Sequence, residues 1–325
     1  MSFWRGLFGS TRPPVAAQRL QTFGGDTMGT RYNVKLVATT GPELAAIQTE
    51  AHAAVAAVDA QMSTWKPQSD LSLFNASEPG DWFAVSPDLA SVVALGLEIS
   101  ALTDGAFDMC VGSAVNHWGF GPDTAPVDVL APPTDLPSFR SIAVRLDPPA
   151  LRKTGPVYLD LSGIAKGFGV DAIATVLERH GIAAYMIEID GELRAKGTRP
   201  DGTPWRVGIS QPKPGATGVH HILALPTTAM ATSGDYRRYF DVAGQRYSHT
   251  IDPRTGRPTT STVASVTVAD PDCARADALA TALLVLGADK GPAMAQHLKL
   301  DALFLIRDEG GLAEKMTGRF DRFFG

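Results

Sequence analysis

The order of apolar patterns along the chain limits the fold more than any other feature. Strand-like runs come in groups, with only a few helical periodicities between them. Arg31 to Val37 alternates Tyr32, Val34 and Leu36 with polar positions, as a half-buried strand does. Pro42 to Met62 carries Leu44, Ile47, Ala51, Val55 and Val58 at helical spacing. Ser86 and Pro87 open a second helix, as N-cap and first helical residue, running to Leu102. From 119 to 156 the chain is proline-rich and reads mostly as loop, with a strand at Ile142–Leu146. Ser162 is expected to cap a helix over Gly163–His180, stopped by Gly181. Strands are expected at Tyr185–Ile189, Trp205–Ser210, Ile222–Leu225, Tyr239–Ile251 and Val263–Val268. A helix from Ala274 to Leu286 should end at Gly287, and Asp301–Ile306 with Leu312–Thr317 should close the chain as a hairpin. Groups of strands broken by a few helices predict an α+β fold with antiparallel pairing rather than a βαβ alternation.

Length and composition narrow the reading further. At 325 residues the chain can bury a sizeable core. We read residues 1–25 as a loose lead-in and 26–325 as one domain. The net charge is −5 and no basic patch stands out, which argues against nucleic acid as a partner. Two cysteines, Cys110 and Cys273, are too few for a disulfide scaffold or a cysteine-rich zinc site, and both read as buried thiols. No run reaches the roughly 18 apolar residues of a membrane span. Met1 to Pro14 is broken by Gly6, Gly9, Pro13 and Pro14 and lacks the apolar centre of an export signal. The expected location is therefore the cytoplasm; a removed export signal would instead place the chain in the periplasm or on a membrane anchor.

Glycines and polar residues gather in six segments. Thr27-Met28-Gly29-Thr30 precedes a strand, Met62-Ser63-Thr64-Trp65 follows a helix, and Thr103 to Asp108 holds Gly105, Ala106 and Phe107. Asp160-Leu161-Ser162-Gly163-Ile164-Ala165-Lys166-Gly167 enters a helix. The free N–H groups of such a helix start favour an anion, and Lys166 sits where a cation is unfavourable unless it serves one. A capped helix with a solvated lysine is the plainer alternative. His249 lies on a strand feeding a tight turn crowded by Asp252, Thr255 and Gly256, which marks His249 and Asp252 as catalytic candidates. Asp277 and Thr281 are four apart on an otherwise apolar helix, so they share a face. A buried carboxylate there must meet a cation or a capping amide. With a threonine hydroxyl it forms a hard-oxygen set suited to Mg²⁺. The competing reading is a first-turn cap.

Taken in order, these segments resemble the ApbE-type flavin transferases, the FAD:protein FMN transferases. The carrying stretches are T-M-G-T (27–30), M-S-T-W with S-x-L-x-x-F-N (62–75), D-G-A-F-D (104–108), D-L-S-G-I-A-K-G (160–167), A-T-S-G-D-Y (231–236), S-H-T-I-D-P-R-T-G-R-P (248–258) and A-D-A-L-A-T-A (276–282). The resemblance spans about residues 24–290. It implies an ApbE-like, T-fold-like architecture of antiparallel sheet strands and a few packed helices. It also implies an enzyme that uses FAD as substrate with Mg²⁺, or Mn²⁺, and moves FMN onto a Thr or Ser hydroxyl of an acceptor flavoprotein, releasing AMP. On that resemblance Met28, Trp65, Ala106, Phe107, Asp108, Asp160, Lys166 and Ile251 would contact FAD. Gly163, through its carbonyl, with Asp277 and Thr281 would hold the metal, Lys166 would add positive potential, and His249 would act as base or positioning group. Water in place of the acceptor would make the same site a FAD pyrophosphatase, and loss of metal binding would leave a non-catalytic FAD-binding protein. Three positions depart from the family pattern. Trp65 stands where a tyrosine is common, Asp190 replaces the first residue of a Gly-Gly pair, and Ala280 replaces a further acid.

Overall fold

The computed structural model describes residues 18–123, 133, 136–212, 218–236, 239–242, 245–309 and 311–324. The first half runs β1 Arg19–Thr27, β2 Thr30–Ala38, α1 Pro42–Met62, α2 Asp70–Ala76, β3 Phe83–Ala84, α3 Pro87–Leu102, α4 Gly112–His117, β4 Ile142–Leu146 and β5 Pro149–Lys153. The second half runs α5 Ala165–Arg179, β6 Tyr185–Ile189, β7 Glu192–Lys196, β8 Trp205–Ser210, β9 Val219–Leu225, β10 Thr228–Gly234, β11 Tyr239–Val242, β12 Gln245–Ser248, β13 Ile251–Asp252, β14 Arg257–Pro258, β15 Val263–Asp270, α6 Cys273–His297, β16 Asp301–Asp308 and β17 Gly311–Thr317.

Among the described residues an eight-stranded sheet forms in the order β1-β2-β6-β7-β10-β15-β16-β17, with antiparallel neighbours throughout. This is the α+β arrangement expected from the grouping of the strands. The pleat divides the apolar residues between two faces. On one face Tyr32, Val34 and Leu36 of β2 meet α1 and α5, and Val266 and Val268 of β15 meet α3 and α6. On the other face Leu193, Met230, Leu303 and Leu305 are covered by the β8–β9 hairpin and by Phe320 and Phe323. Each fully buried side chain of this size contributes roughly 1.5–3 kcal/mol.

Several boundaries differ from the sequence reading. Residues 19–25, placed in the lead-in, belong to β1, an edge strand paired with β2 from Arg19↔Ala38 to Thr27↔Thr30. β5, β7 and β10 were not expected: β10 is built from small residues with no visible alternation, and β7 is masked by Glu192, Arg194 and Lys196. The stretch Tyr239–Ile251 is no single strand but the hairpin β11–β12 followed by β13. Ser162 does not cap α5; it is exposed, and the helix starts at Ala165 without a side-chain cap of its own. Part of the proline-rich stretch, residues 124–132 and 134–135, lies outside the described residues. Both cysteines are buried and unbridged, as expected.

Two glycines shape the helices that matter below. A Cβ on Gly167 would strike the Cys273 carbonyl and the Ala274 backbone, so its bare backbone is what lets α5 and α6 touch. Gly287 takes φ 78 inside α6 and breaks its helical run where the sequence places a stop. α6 is long and apolar enough to cross a membrane, yet it is the core helix against β10, β15 and α5.

Candidate active site at the first turns of α5 and α6

The starts of α5 and α6 lie side by side, and each is completed by an acid of the other. Asp277 Oδ2 accepts from the Gly167 amide at 3.1 Å, and Asp171 Oδ2 accepts from the Ala274 amide at 2.9 Å. Both amides are first-turn donors without partners in their own helix. This exchange explains how α5 begins without a cap of its own. The capping amide expected for Asp277 is thus the Gly167 N–H, supplied from another helix.

Asp277 is only 3% exposed. Burial pushes its carboxyl up to about 6; Lys166 and the Gly167 amide pull it back, and Asp190 adds to the rise. Lys166 behaves in the opposite sense. Burial pushes its ammonium down, but Glu192, Asp277 and Asp190 outweigh that and raise it to about 12. Its Nζ lies 2.9 Å from Glu192 Oε2 and 3.5 Å from Asp190 Oδ2. The lysine is therefore a fixed cation, held by an acid whose side chain is 2% exposed.

One turn along α6 from Asp277, Thr281 Oγ1 lies 3.1 Å from Ser233 Oγ at the end of β10. A Cβ on Gly163 would sit 3.0 Å from that same Thr281 oxygen and 3.3 Å from the Phe107 ring. The fold thus brings Gly163, Asp277, Thr281 and Lys166 to one place. It adds Glu192, Asp171 and Ser233, which the motif reading did not single out. Ser233 had a signal, since it lies inside the A-T-S-G-D-Y stretch. Glu192 and Asp171 had none, because their partners lie 26 and 103 residues away.

Two hairpin turns flank this cluster. Met28 and Asp190 both hold left-handed backbone, with φ 47 and 53, in two-residue turns. Asp190-Gly191 is the dipeptide that such a turn favours, so the departure from Gly-Gly is accommodated by the backbone. Met28 packs between the two apolar clusters on the helical face and lies along α5 beside Gly169. Ala280 is fully buried, in an apolar setting where a second carboxylate would be costly.

The other expected site residues are distributed around this centre. Trp65, 64% exposed just past α1, presents an uncovered ring. Ala106 and Phe107 are buried, and the Phe107 amide donates to Thr103 Oγ1 at 3.2 Å. Asp160 Oδ1 accepts from the Ser162 amide at 2.8 Å and so shapes the approach to α5. Asp108 turns inward: its two oxygens accept from the Cys110 amide at 2.9 Å and the Phe139 amide at 2.8 Å. It borders a cleft of about 460 Å³ that also touches Asp104, Phe139, Arg140, Arg254 and Thr255. The segment 104–108 therefore reaches both the cleft and, through Phe107, Gly163.

Across that cleft stands the turn between β13 and β14. Asp252 is engaged within it: its carboxylate holds the Arg254 guanidinium at 2.8 and 2.7 Å, and its carbonyl accepts from the Gly256 amide at 2.9 Å. Its observed work is to close the turn. Ile251 is buried against Trp118 and Ala114. Trp118 Nε1 donates to the Gly256 carbonyl at 2.7 Å and stacks on Tyr247, which stacks on Phe240 and then Phe120. His249 meets the edge of Phe120, with centroids 6.3 Å apart.

A fold of this sheet order, with such a cluster, defines a class, and the comparisons agree. The ApbE family model matches residues 28–304. The chain belongs to the ApbE family. It is 42% identical to the FAD:protein FMN transferase of Vibrio cholerae, over 92% of this chain and 91% of that one. It is 39% identical to the enzyme of the same name from Haemophilus influenzae, over 93% and 90%. Among solved structures it is similar to the flavin transferase ApbE from Vibrio cholerae, with a TM-score of 0.85 and 39% identity, covering 94% of this chain and all of that one. It is likewise similar to the apo flavinyl transferase ApbE of Pseudomonas stutzeri, with a TM-score of 0.84 and 37% identity over 95% and 98%.

Proposed function

We propose that this chain is a FAD:protein FMN transferase that joins FMN to a Thr or Ser hydroxyl of an acceptor flavoprotein through a phosphoester bond. The observation that carries the proposal is the buried Asp277 carboxylate beside Thr281 and Lys166 at the paired starts of α5 and α6. Asp277, Thr281 and the Gly163 carbonyl are hard oxygen donors, and a carboxylate held this far from water is one that a divalent cation would relieve. They fit Mg²⁺ or Mn²⁺. When bound, such an ion supplies positive charge against the pyrophosphate and the AMP leaving group.

The chain's own groups account for the rest. Lys166, beside the positive end of the α5 dipole, lends positive potential to phosphate oxygens. Trp65 offers a flat face to the flavin. His249, at the aromatic stack, takes the proton of the incoming hydroxyl. That oxygen bonds to the FMN phosphorus, the bond to the bridging oxygen breaks, and AMP leaves with it. Catalysis of this kind rests on positioning and charge more than on covalent work by the protein. Asp252 has a supporting part, closing the turn between β13 and β14 that follows His249 in the chain.

The test is the intact mass of a threonine-bearing acceptor domain after incubation with this chain, FAD and Mg²⁺. A gain of one FMN, abolished by EDTA, is expected. Free FMN and AMP without a labelled acceptor would identify water as the acceptor, and unchanged FAD would overturn the proposal.

A further inference from the structure

A second cluster lies on the opposite face of the sheet from α5 and α6. Consecutive side chains of a regular strand point to opposite sides. On β9 they do not: Ile209 pairs with His221 and Ser210 with Val219, so His220 is an extra residue, a β-bulge. The bulge turns His220 to the side of His221. Their rings approach to 4.5 Å between centroids, and both are half-buried while Val219 and Ile222 on either side are exposed.

Both imidazoles converge on one oxygen. His220 Nε2 is 2.9 Å and His221 Nε2 2.8 Å from Glu314 Oε1, and all the ligand atoms of the trio lie within 4.8 Å of one another. Glu314 sits on β17 opposite Leu305, whose side chain belongs to the same sheet face as the β8–β9 hairpin. Burial pushes its carboxyl up, but the two imidazoles more than offset this and leave it below the usual range. The Phe324 ring stands edge-on to His221 at 4.8 Å and fixes its orientation. Two imidazoles and one carboxylate are the ligands of zinc-class ions, not of Mg²⁺. In a tetrahedral zinc site the donors stand about 3.3 Å apart, given bonds of about 2.0 Å. The two Nε2–Oε1 distances fall about half an ångström short of that spacing, and Glu314, on the outermost strand, can move outward to open room for the ion.

We propose that His220, His221 and Glu314 form a binding site for a divalent transition metal of the zinc class, separate from the hard-oxygen site, which fastens β9 to the edge strand β17. Three protein ligands leave a further position open to water. The bulge is the carrying observation, since a regular strand would send one of the two histidines away from Glu314.

The test uses the full chain without an affinity tag, stripped with chelator and kept in excess Mg²⁺. One equivalent of Co²⁺ is expected to give the visible absorption of a low-coordinate site, and Zn²⁺ is expected to displace it and raise the melting temperature. His221→Ala and Glu314→Gln should each weaken binding at least tenfold, while Asp277→Ala should leave it intact. Absence of the cobalt band in the parent chain overturns the proposal. So does binding that survives both trio variants, or that disappears with Asp277→Ala. If a trio variant melts lower than the parent in EDTA, the parent's cobalt spectrum and one-to-one stoichiometry decide alone.

Discussion

Asp277 answers to two neighbours that no local pattern joins to it. It completes the start of α5 and faces Lys166, so its replacement touches both structure and chemistry. Asp277→Ala is expected to abolish FMN transfer with Mg²⁺ supplied, and full transfer by the variant would remove it from the metal site. His249 stands at the edge of Phe120. His249→Ala is expected to keep FAD affinity and slow transfer by about 10²–10⁴-fold, the usual worth of a positioned base. A titration of FAD binding beside single-turnover rates checks both halves of that statement. Gly167 carries no chemistry, yet Gly167→Ala should cost about 1–3 kcal/mol in denaturant unfolding, since the new methyl meets the backbone of α6 rather than a movable side chain.

At the scale of elements, what could be read from the sequence depended on how far the cause lay along the chain. α1, α3, β4, β6 and β8 fall where periodicity and caps put them, because their signals are internal. The left-handed turns at Met28 and Asp190 were marked by their glycine neighbours. β7 and β10 were hidden, since burial of Glu192 and of small residues follows from strands that are distant in sequence. The start of α5 misled for the same reason: a serine stood where a local cap belongs, while the true cap came from α6. One link between elements carries a pH signature. Tyr185 on β6 donates to Glu178 on α5 at 2.7 Å, and that bond, with Lys196 beside it, holds the Glu178 carboxyl below 4.5. Its contribution is present in full above pH 4.5 and is lost as pH falls through the lower folded value. Glu178→Gln should therefore lower the melting temperature at pH 7, and the gap should close under more acidic conditions. A gap that stays constant with pH would disprove the link.

Across the whole molecule, the sheet separates two tasks. The helical face carries the Asp277–Thr281–Lys166 cluster, and the opposite face is closed by the β8–β9 hairpin with Phe320 and Phe323, both fully buried. Phe320→Ala should cost about 3–5 kcal/mol, as truncation of a buried aromatic does. Stabilised by saturating FAD, the same variant should transfer FMN at the parent rate, because its loss falls on the other side of the sheet. A large drop in that rate would mean the two faces are coupled.

The exchange of acids between α5 and α6 has a consequence for motion. First-turn amides are ordinarily the earliest of a helix to trade their protons with solvent. Here the Gly167 and Ala274 amides are each held by the other helix, so neither can open by fraying. Both should exchange deuterium slowly and at a common rate, that of parting the two helices, and the ground around Asp277 and Lys166 should be among the stillest places in the protein.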